Sequence, residues 1–119
     1  MIVTRRLFTL GGLSLAALPA SAEERQTMYG LISQLFSAPE NRDAVIGHLR
    51  AGSRNMPGCL SYVVAKDSAR EDAIWVTETW SDEQSHQNSL SLPGVQQAIA
   101  QARPLITGFG IRAETLPIA

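Results

Sequence analysis

The sequence has few of the residues that build cross-links and metal centres. Its 119 residues include one cysteine, Cys59, and two histidines, His48 and His86. A single cysteine excludes a scaffold of intramolecular disulfides and a zinc site made of several thiolates. Two histidines also argue against a His-rich catalytic metal centre. We therefore expect no resident metal ion.

The sequence also lacks an excess of either positive or negative charge. Ten Lys and Arg residues face eleven Asp and Glu residues, for a formal net charge of −1 at pH 7, and no basic run follows Arg6. Nucleic acids and acidic membrane surfaces bind concentrated positive patches. The composition therefore predicts no nucleic-acid partner, and the length fits one folded domain.

Residues 1–22 have the pattern of a cleavable export signal. Arg5 and Arg6 precede a modestly apolar stretch, and small residues follow it. That stretch has about twelve residues, too few to cross about 30 Å of hydrocarbon, so we expect no stable membrane insertion after cleavage. The arginine pair followed by Phe8 resembles a twin-arginine signal. An ordinary secretory signal and a retained amphipathic N-terminus are the alternatives. We expect an exported protein, periplasmic or otherwise extracytoplasmic, with its domain at residues 23–119.

The remaining chain has the pattern strand, helix, strand, strand, helix, strand. Apolar alternation predicts strands, and apolar stripes at helical spacing predict helices that open with capping boxes at Ser37–Glu40 and Ser81–Gln84. The two middle strands are joined directly, as in the α+β, ferredoxin-like split βαβ fold. The predicted strands are 28–36, 59–65, 73–80 and 107–115, and the helical stripes are Val45, Leu49, Gly52, Met56 and Val95, Ala98, Ile99, Ala102.

Each helix has only one apolar stripe, so both helices should cover the same face of the sheet. The other face still carries apolar residues, and too little chain remains to cover it. We therefore expect a homodimer packed sheet to sheet. A solvated outer face is the alternative.

Two segments resemble the antibiotic biosynthesis monooxygenase family. They are 56–62 (MPGCLSY) and 75–80 (WVTETW), the second followed by SDEQ at 81–84. The family includes quinol monooxygenases and polyketide-tailoring oxygenases, and the resemblance, covering about 28–109, implies a dimeric α/β barrel. It also implies a reaction without metal, flavin or haem, in which a phenol or quinol is deprotonated and its anion passes an electron to dioxygen.

The resemblance extends to some of the family's functional positions and departs at others. Trp80 matches a tryptophan of the polyketide oxygenases, whereas His86 stands where they have a tyrosine and Val76 where they have an asparagine. Haem-degrading relatives need an asparagine on the first strand and a histidine on the last helix. Residues 31–36 and 95–103 offer neither, so haem degradation is disfavoured.

Six residues are candidates for the site. Trp80 offers an indole N–H beside a flat apolar surface, which suits a bound ring, and His86 and His48 are possible proton acceptors. These three are the predicted catalytic residues. Asn55, Tyr62 and Glu78 are the predicted substrate-binding residues. A core tryptophan, solvated histidines, helix-end capping and ordinary packing are the corresponding structural alternatives.

Two functions remain open at this point. The first is a cofactor-independent monooxygenase that oxidises a small quinol or phenolic substrate with dioxygen. The second is a non-catalytic dimeric barrel that binds a small aromatic metabolite in the periplasm. Val76 in place of asparagine favours the second, whereas Trp80 and the two histidines favour the first.

Overall fold

The computed structural model describes residues 27–118. The export signal predicted for residues 1–22 lies outside the described residues. Two short 3-10 helices, Pro39–Asn41 and Arg103–Leu105, each adjoin a longer helix. The longer elements are β1 (Tyr29–Ser37), α1 (Arg42–Gly52), β2 (Cys59–Lys66), β3 (Ala73–Trp80), α2 (Glu83–Ser89), α3 (Pro93–Ala102) and β4 (Ile106–Thr115).

The four strands form one antiparallel sheet in the order β2-β3-β1-β4. The predicted α+β, ferredoxin-like fold is therefore confirmed. Strand β3 is paired on both sides, which places Glu78 opposite Leu31 on β1 and opposite Tyr62 on β2. Trp80, two residues further along β3, is opposite Tyr29 and Cys59. Side chains from three strands thus converge at one end of the sheet.

Helices α1 and α3 cover one face of the sheet, as the two apolar stripes predict. An aliphatic cluster joins them to the strands, and several of its side chains are fully buried. Burying a valine, leucine or isoleucine side chain contributes about 1.5–3 kcal/mol. The cluster consists of Leu35, Val45, Ile74, Val76 and Ala102.

The starts of α1 and α2 differ from the predicted capping boxes. Ser37 ends β1: its backbone N–H donates to Asp72 O at 2.9 Å, and its hydroxyl donates to Ala38 O at 3.0 Å. Helix α1 therefore begins only at Arg42, after the first 3-10 helix. At α2 the cap is Asp82 rather than Ser81, because the carboxylate of Asp82 accepts the Ser85 N–H at 2.8 Å.

The opposite face of the sheet carries apolar residues without a covering element in residues 27–118. Val63, Thr77, Ile32 and Ala113 form one row across all four strands. Val63 is 52% exposed. This is the surface on which a second subunit is predicted to pack.

None of the helices in the described part of the chain combines the length and the hydropathy that crossing a membrane requires.

Candidate functional site between the helices and the end of the sheet

The alternation of β3 directs Glu78 and Trp80 toward the helices. Trp80 is only 1% exposed and belongs to a second buried cluster with Tyr29 and Leu31. Its indole Nε1 donates to Glu78 Oε1 at 3.0 Å. The indole therefore holds the carboxylate at one edge of the layer between sheet and helices.

His86 approaches the same carboxylate from α2. Its Nε2 lies 3.9 Å from Glu78 Oε1, and its ring lies between Tyr29 and Trp80, with ring centroids 5.3 and 5.5 Å away. His86 is 7% exposed, so it is a buried residue and not the solvated histidine of the structural alternative. Its Nδ1 is buried and has no hydrogen-bond partner among the described residues. Leaving a buried polar atom unpaired costs about 1–3 kcal/mol.

The turn before β2 allows α2 to pack this closely. Gly58 has φ of 84°, in the left-handed region that glycine adopts readily. A Cβ at this position would collide with Ser85 on α2. The Gly58 carbonyl also accepts the Ser81 N–H at 2.8 Å, which fixes the end of β3 beside the turn. The Pro-Gly turn thus brings α2, and with it His86, against the sheet.

A cavity of about 110 Å³ lies beside these groups. Glu78, Trp80, His86 and Tyr62 line its polar and aromatic side, and Leu49 of α1 and Ile99 of α3 line its aliphatic side. An engineered protein cavity of about 150 Å³ binds benzene. The space next to Glu78 is therefore of the order of a single aromatic ring. We call it the ring cavity.

Burial controls the protonation of the acidic groups in the ring cavity. It raises the pKa of Glu78, and this outweighs the opposing effects of the Trp80 N–H and of the nearby His86 and Arg112. Burial also raises the pKa of Tyr62, and the charge of Glu78 raises it further. Once ionised, a carboxylate with a raised pKa is a stronger proton acceptor than one in water.

The structure brings four of the six predicted site residues to one place. Glu78, Trp80, His86 and Tyr62 line the ring cavity. His48 is half-buried on α1 and Asn55 is exposed beyond it, and neither lines the cavity. In residues 27–118, no cluster of three or more His, Cys, Asp or Glu side chains is placed to hold a metal ion.

Sequence reasoning missed Tyr29, whose ring lies against His86. Only the antiparallel register, which puts Tyr29 opposite Trp80, brings it there. The sequence marks Leu49 and Ile99 only as members of apolar stripes, although both line the cavity. A stripe at helical spacing predicts which face is buried but not whether that face is fully packed.

Together, the fold and this site define a small α+β protein with ferredoxin-like topology and a polar, aromatic cavity between its helices and its sheet. The sequence profile of the family described as "Antibiotic biosynthesis monooxygenase" matches residues 28–101, more than half of the chain. The chain belongs to this family.

Solved structures show the same fold. A protein of Chloroflexus aurantiacus, provisionally named an antibiotic biosynthesis monooxygenase, is 53% identical, with a TM-score of 0.75 over 77% of this chain and 94% of that one. A Caulobacter crescentus protein with the same provisional name is 19% identical, with a TM-score of 0.68 over 79% and 92% of the two chains. SnoaB of Streptomyces nogalater, a cofactor-independent oxygenase, is 17% identical, with a TM-score of 0.59 over 77% and 92%. A search of curated proteins gave no match.

Proposed function

We propose that the protein is a cofactor-independent monooxygenase that oxidises a small quinol or phenolic substrate with dioxygen. One observation carries the proposal: Glu78 Oε1 accepts the Trp80 N–H at 3.0 Å and lies 3.9 Å from His86 Nε2, at the edge of a ring-sized cavity. Family membership supports the same reaction class. SnoaB illustrates that this fold can house a cofactor-independent oxygenase.

In the proposed reaction, the ionised Glu78 accepts the proton of a substrate hydroxyl. His86, when protonated, stabilises that carboxylate, and Trp80 keeps it in position. The substrate anion passes one electron to dioxygen, and the resulting ring radical and superoxide combine through a new carbon–oxygen bond. The oxygen–oxygen bond then breaks. One oxygen atom stays on the ring as a carbonyl, and the other leaves as water with the hydroxyl proton and the displaced ring hydrogen. A phenol is thereby oxidised to a quinone, or a quinol to a hydroxyquinone, while dioxygen is reduced.

The cavity contributes by excluding water from the anion. Leu49 and Ile99 supply aliphatic wall to the cavity, and electrostatic interactions are stronger in such a low-dielectric site than in water. Holding the ring against the indole of Trp80 also removes much of the entropic cost of reaching the reactive geometry.

Oxygen uptake by the purified protein with a panel of single-ring quinols and phenols tests the proposal. We expect substrate-dependent uptake that falls at least tenfold in Trp80→Phe, because phenylalanine cannot donate to Glu78. Trp75→Phe is the matched control: Trp75 lies on the other face of β3, where its Nε1 donates to Asp67 Oδ2 at 2.7 Å. Uptake that is equal in both variants would remove Trp80 from the mechanism.

One observation favours the non-catalytic alternative. Val76, at the position where related oxygenases carry an asparagine, is 4% exposed and belongs to the aliphatic cluster, so no amide is available there to polarise a substrate. Saturable binding of the panel without any oxygen uptake would establish a binding protein in place of the monooxygenase.

We also propose that two copies associate through the outer face of the sheet. The row of Val63, Thr77, Ile32 and Ala113 offers a surface that a second subunit can desolvate. Sedimentation at micromolar concentration should show a dimer, and Val63→Lys should shift it to monomer while the control Glu71→Lys, in an exposed loop, does not. A wild-type protein that sediments only as a monomer would contradict the dimer.

Export through a twin-arginine route is the remaining proposal, supported by the Arg5–Arg6 pair and Phe8. Fractionation of cells that express the full chain should place the protein outside the cytoplasm. Replacing both arginines with lysine should retain it inside. Unchanged export of the double-lysine variant would exclude the twin-arginine route.

A further inference from the structure

A second cavity shares two wall residues with the ring cavity. It measures about 560 Å³, and both Leu49 and Ile99 line it as well as the ring cavity. The rest of its wall consists of Leu35, Ala102, Arg103, Ile106 and Phe109. Arg103 is the one ionisable residue among these, and it is exposed.

The two cavities differ in what they can recognise. The ring cavity contains a carboxyl, an imidazole, an indole and a phenol but has space for about one ring. The second is larger and its wall is almost wholly apolar. Phe109 on this wall is 73% exposed, which leaves a large apolar surface in water until something covers it.

The two cavities adjoin at Leu49 and Ile99, on a helix pair, α1 and α3, that packs very closely. A Cβ at Gly52 on α1 would collide with the side chain of Ala98 on α3. A ligand that reaches from one cavity into the other would pass beside Leu49 and Ile99, the two residues that line both. A chain of methylenes is thinner than a fused ring and can bend.

We propose that the second cavity binds an aliphatic chain attached to the ring of the substrate. The inference rests on the proposed function, and it narrows the substrate class to single-ring phenols or quinols that carry such a chain. The ring then lies at Glu78, and Ile106 and Phe109 cover the chain.

Binding of a 4-alkylphenol series to the purified protein, measured by calorimetry without oxygen, tests this proposal independently of turnover. From ethylphenol to octylphenol we expect the dissociation constant to fall about fourfold for each buried methylene, until the cavity is full. A dissociation constant that does not depend on chain length would overturn the proposal. So would tighter binding of 2-naphthol than of 4-butylphenol, which has the same number of carbon atoms, because that would indicate a fused ring.

A substitution that narrows only the second cavity tests whether the chain-length dependence of binding arises there. Ile106→Phe should flatten the dependence on chain length and leave the affinity for phenol itself within twofold. Ile111→Phe, on the same strand but outside both cavity walls, is the control and should keep the dependence. Phe109→Ala, at an exposed position, should weaken the binding of octylphenol at least tenfold and the binding of phenol less than twofold. This second variant tests the proposal even if Ile106→Phe fails to fold. An unchanged slope in a folded Ile106→Phe, or an unchanged octylphenol affinity in Phe109→Ala, would overturn the proposal.

The oxygen measurement separates this proposal from the function on which it rests. Binding that depends on chain length, without any oxygen uptake, would support an alkyl chain in the second cavity and reject only the monooxygenase. Oxygen uptake that is independent of chain length, together with binding that is also independent of it, would support the monooxygenase and reject an alkyl chain in the second cavity.

Discussion

Each face of β3 carries a tryptophan whose indole N–H donates to a carboxylate, and the two carboxylates lie in different surroundings. On the outer side, Trp75 Nε1 donates to Asp67 Oδ2 at 2.7 Å, and on the helix side Trp80 Nε1 donates to Glu78 Oε1 at 3.0 Å. The pKa of Asp67 is lowered, chiefly by the Trp75 hydrogen bond, whereas the pKa of Glu78 is raised by burial. The ionised form of Asp67 is therefore favoured, whereas that of Glu78 is disfavoured, which makes the Glu78 carboxylate the stronger proton acceptor.

The difference lies in burial: at Glu78, burial outweighs the indole hydrogen bond and sets the direction of the pKa shift. An indole N–H favours the ionised carboxylate in both pairs, but the side chain of Glu78 is only 11% exposed. Loss of hydration disfavours its charge by more than the hydrogen bond returns. The Asp67 pair behaves as a structural anchor for the loop after β2. The Glu78 pair combines burial, a raised carboxyl pKa and an adjacent cavity, as a candidate proton-accepting site requires.

Removing the two carboxyl charges gives the largest expected contrast. Glu78→Gln should lower kcat for oxygen uptake by about 10²–10⁴-fold, because an amide cannot accept the substrate proton. Asp67→Asn should leave kcat unchanged. Steady-state oxygen-electrode kinetics of both variants, with circular dichroism to verify folding, provide the measurement. Equal activity of folded Glu78→Gln and wild type would mean that another group is the base.

Truncating the two indoles should separate them by stability. Trp80→Ala removes a side chain that is 1% exposed and should lower the free energy of unfolding by about 3–5 kcal/mol. Trp75 is only half-buried, so Trp75→Ala should cost clearly less. Urea denaturation followed by circular dichroism measures both. Similar losses would show that the Asp67 pair contributes as much to the core as the Glu78 pair.

The two carboxyls should affect the pH dependence of stability with opposite signs. The pKa of Glu78 is raised on folding, so its contribution is fully present below the unfolded pKa and is lost as pH rises through the folded pKa. The pKa of Asp67 is lowered, so its contribution is present above the unfolded pKa and is lost as pH falls through the folded pKa.

Substitution should make these signs visible. Relative to wild type, Glu78→Gln should gain stability as pH rises through the raised pKa of Glu78, and Asp67→Asn should lose stability as pH rises through the lowered pKa of Asp67. Urea denaturation at a series of pH values gives both differences. The kcat of wild type should rise with pH through the raised pKa of Glu78. Parallel pH trends for the two variants would refute the contrast between the pairs.

Much of the fold could be predicted from local pattern, because strand alternation and helix stripes report burial directly. The range of β3, 73–80, agrees with the structure residue for residue. The starts of the helices were harder to predict from the sequence. Ser37 has the sequence of a cap, yet its backbone is already committed to Asp72, a partner far along the chain. Local signals cannot show that competition.

The site was predictable only where it lies on a single strand. Glu78 and Trp80 share a face of β3 by alternation, so their proximity follows from the sequence. The burial of His86 depends on the packing of α2 against the Gly58 turn, and its contact with Tyr29 depends on strand register. Neither distance is encoded within one element, and that is why a polar helix suggested a solvated histidine.

The smallest expected effect concerns the two aspartates that cap backbone N–H groups. Asp82 accepts the Ser85 N–H at the start of α2, and Asp67 accepts the N–H groups of Ala69 and Arg70 in its loop. Asp82→Ala should lower the stability modestly, because it removes the cap of α2, and should also lower kcat severalfold, because α2 carries His86. Asp67→Ala is the direct comparison: it should also lower the stability modestly while kcat stays constant. Thermal unfolding and oxygen uptake of the two variants measure both quantities. A fall in kcat for Asp67→Ala as large as for Asp82→Ala would mean that the two faces of the sheet are coupled, and that the outer pair also acts on the site.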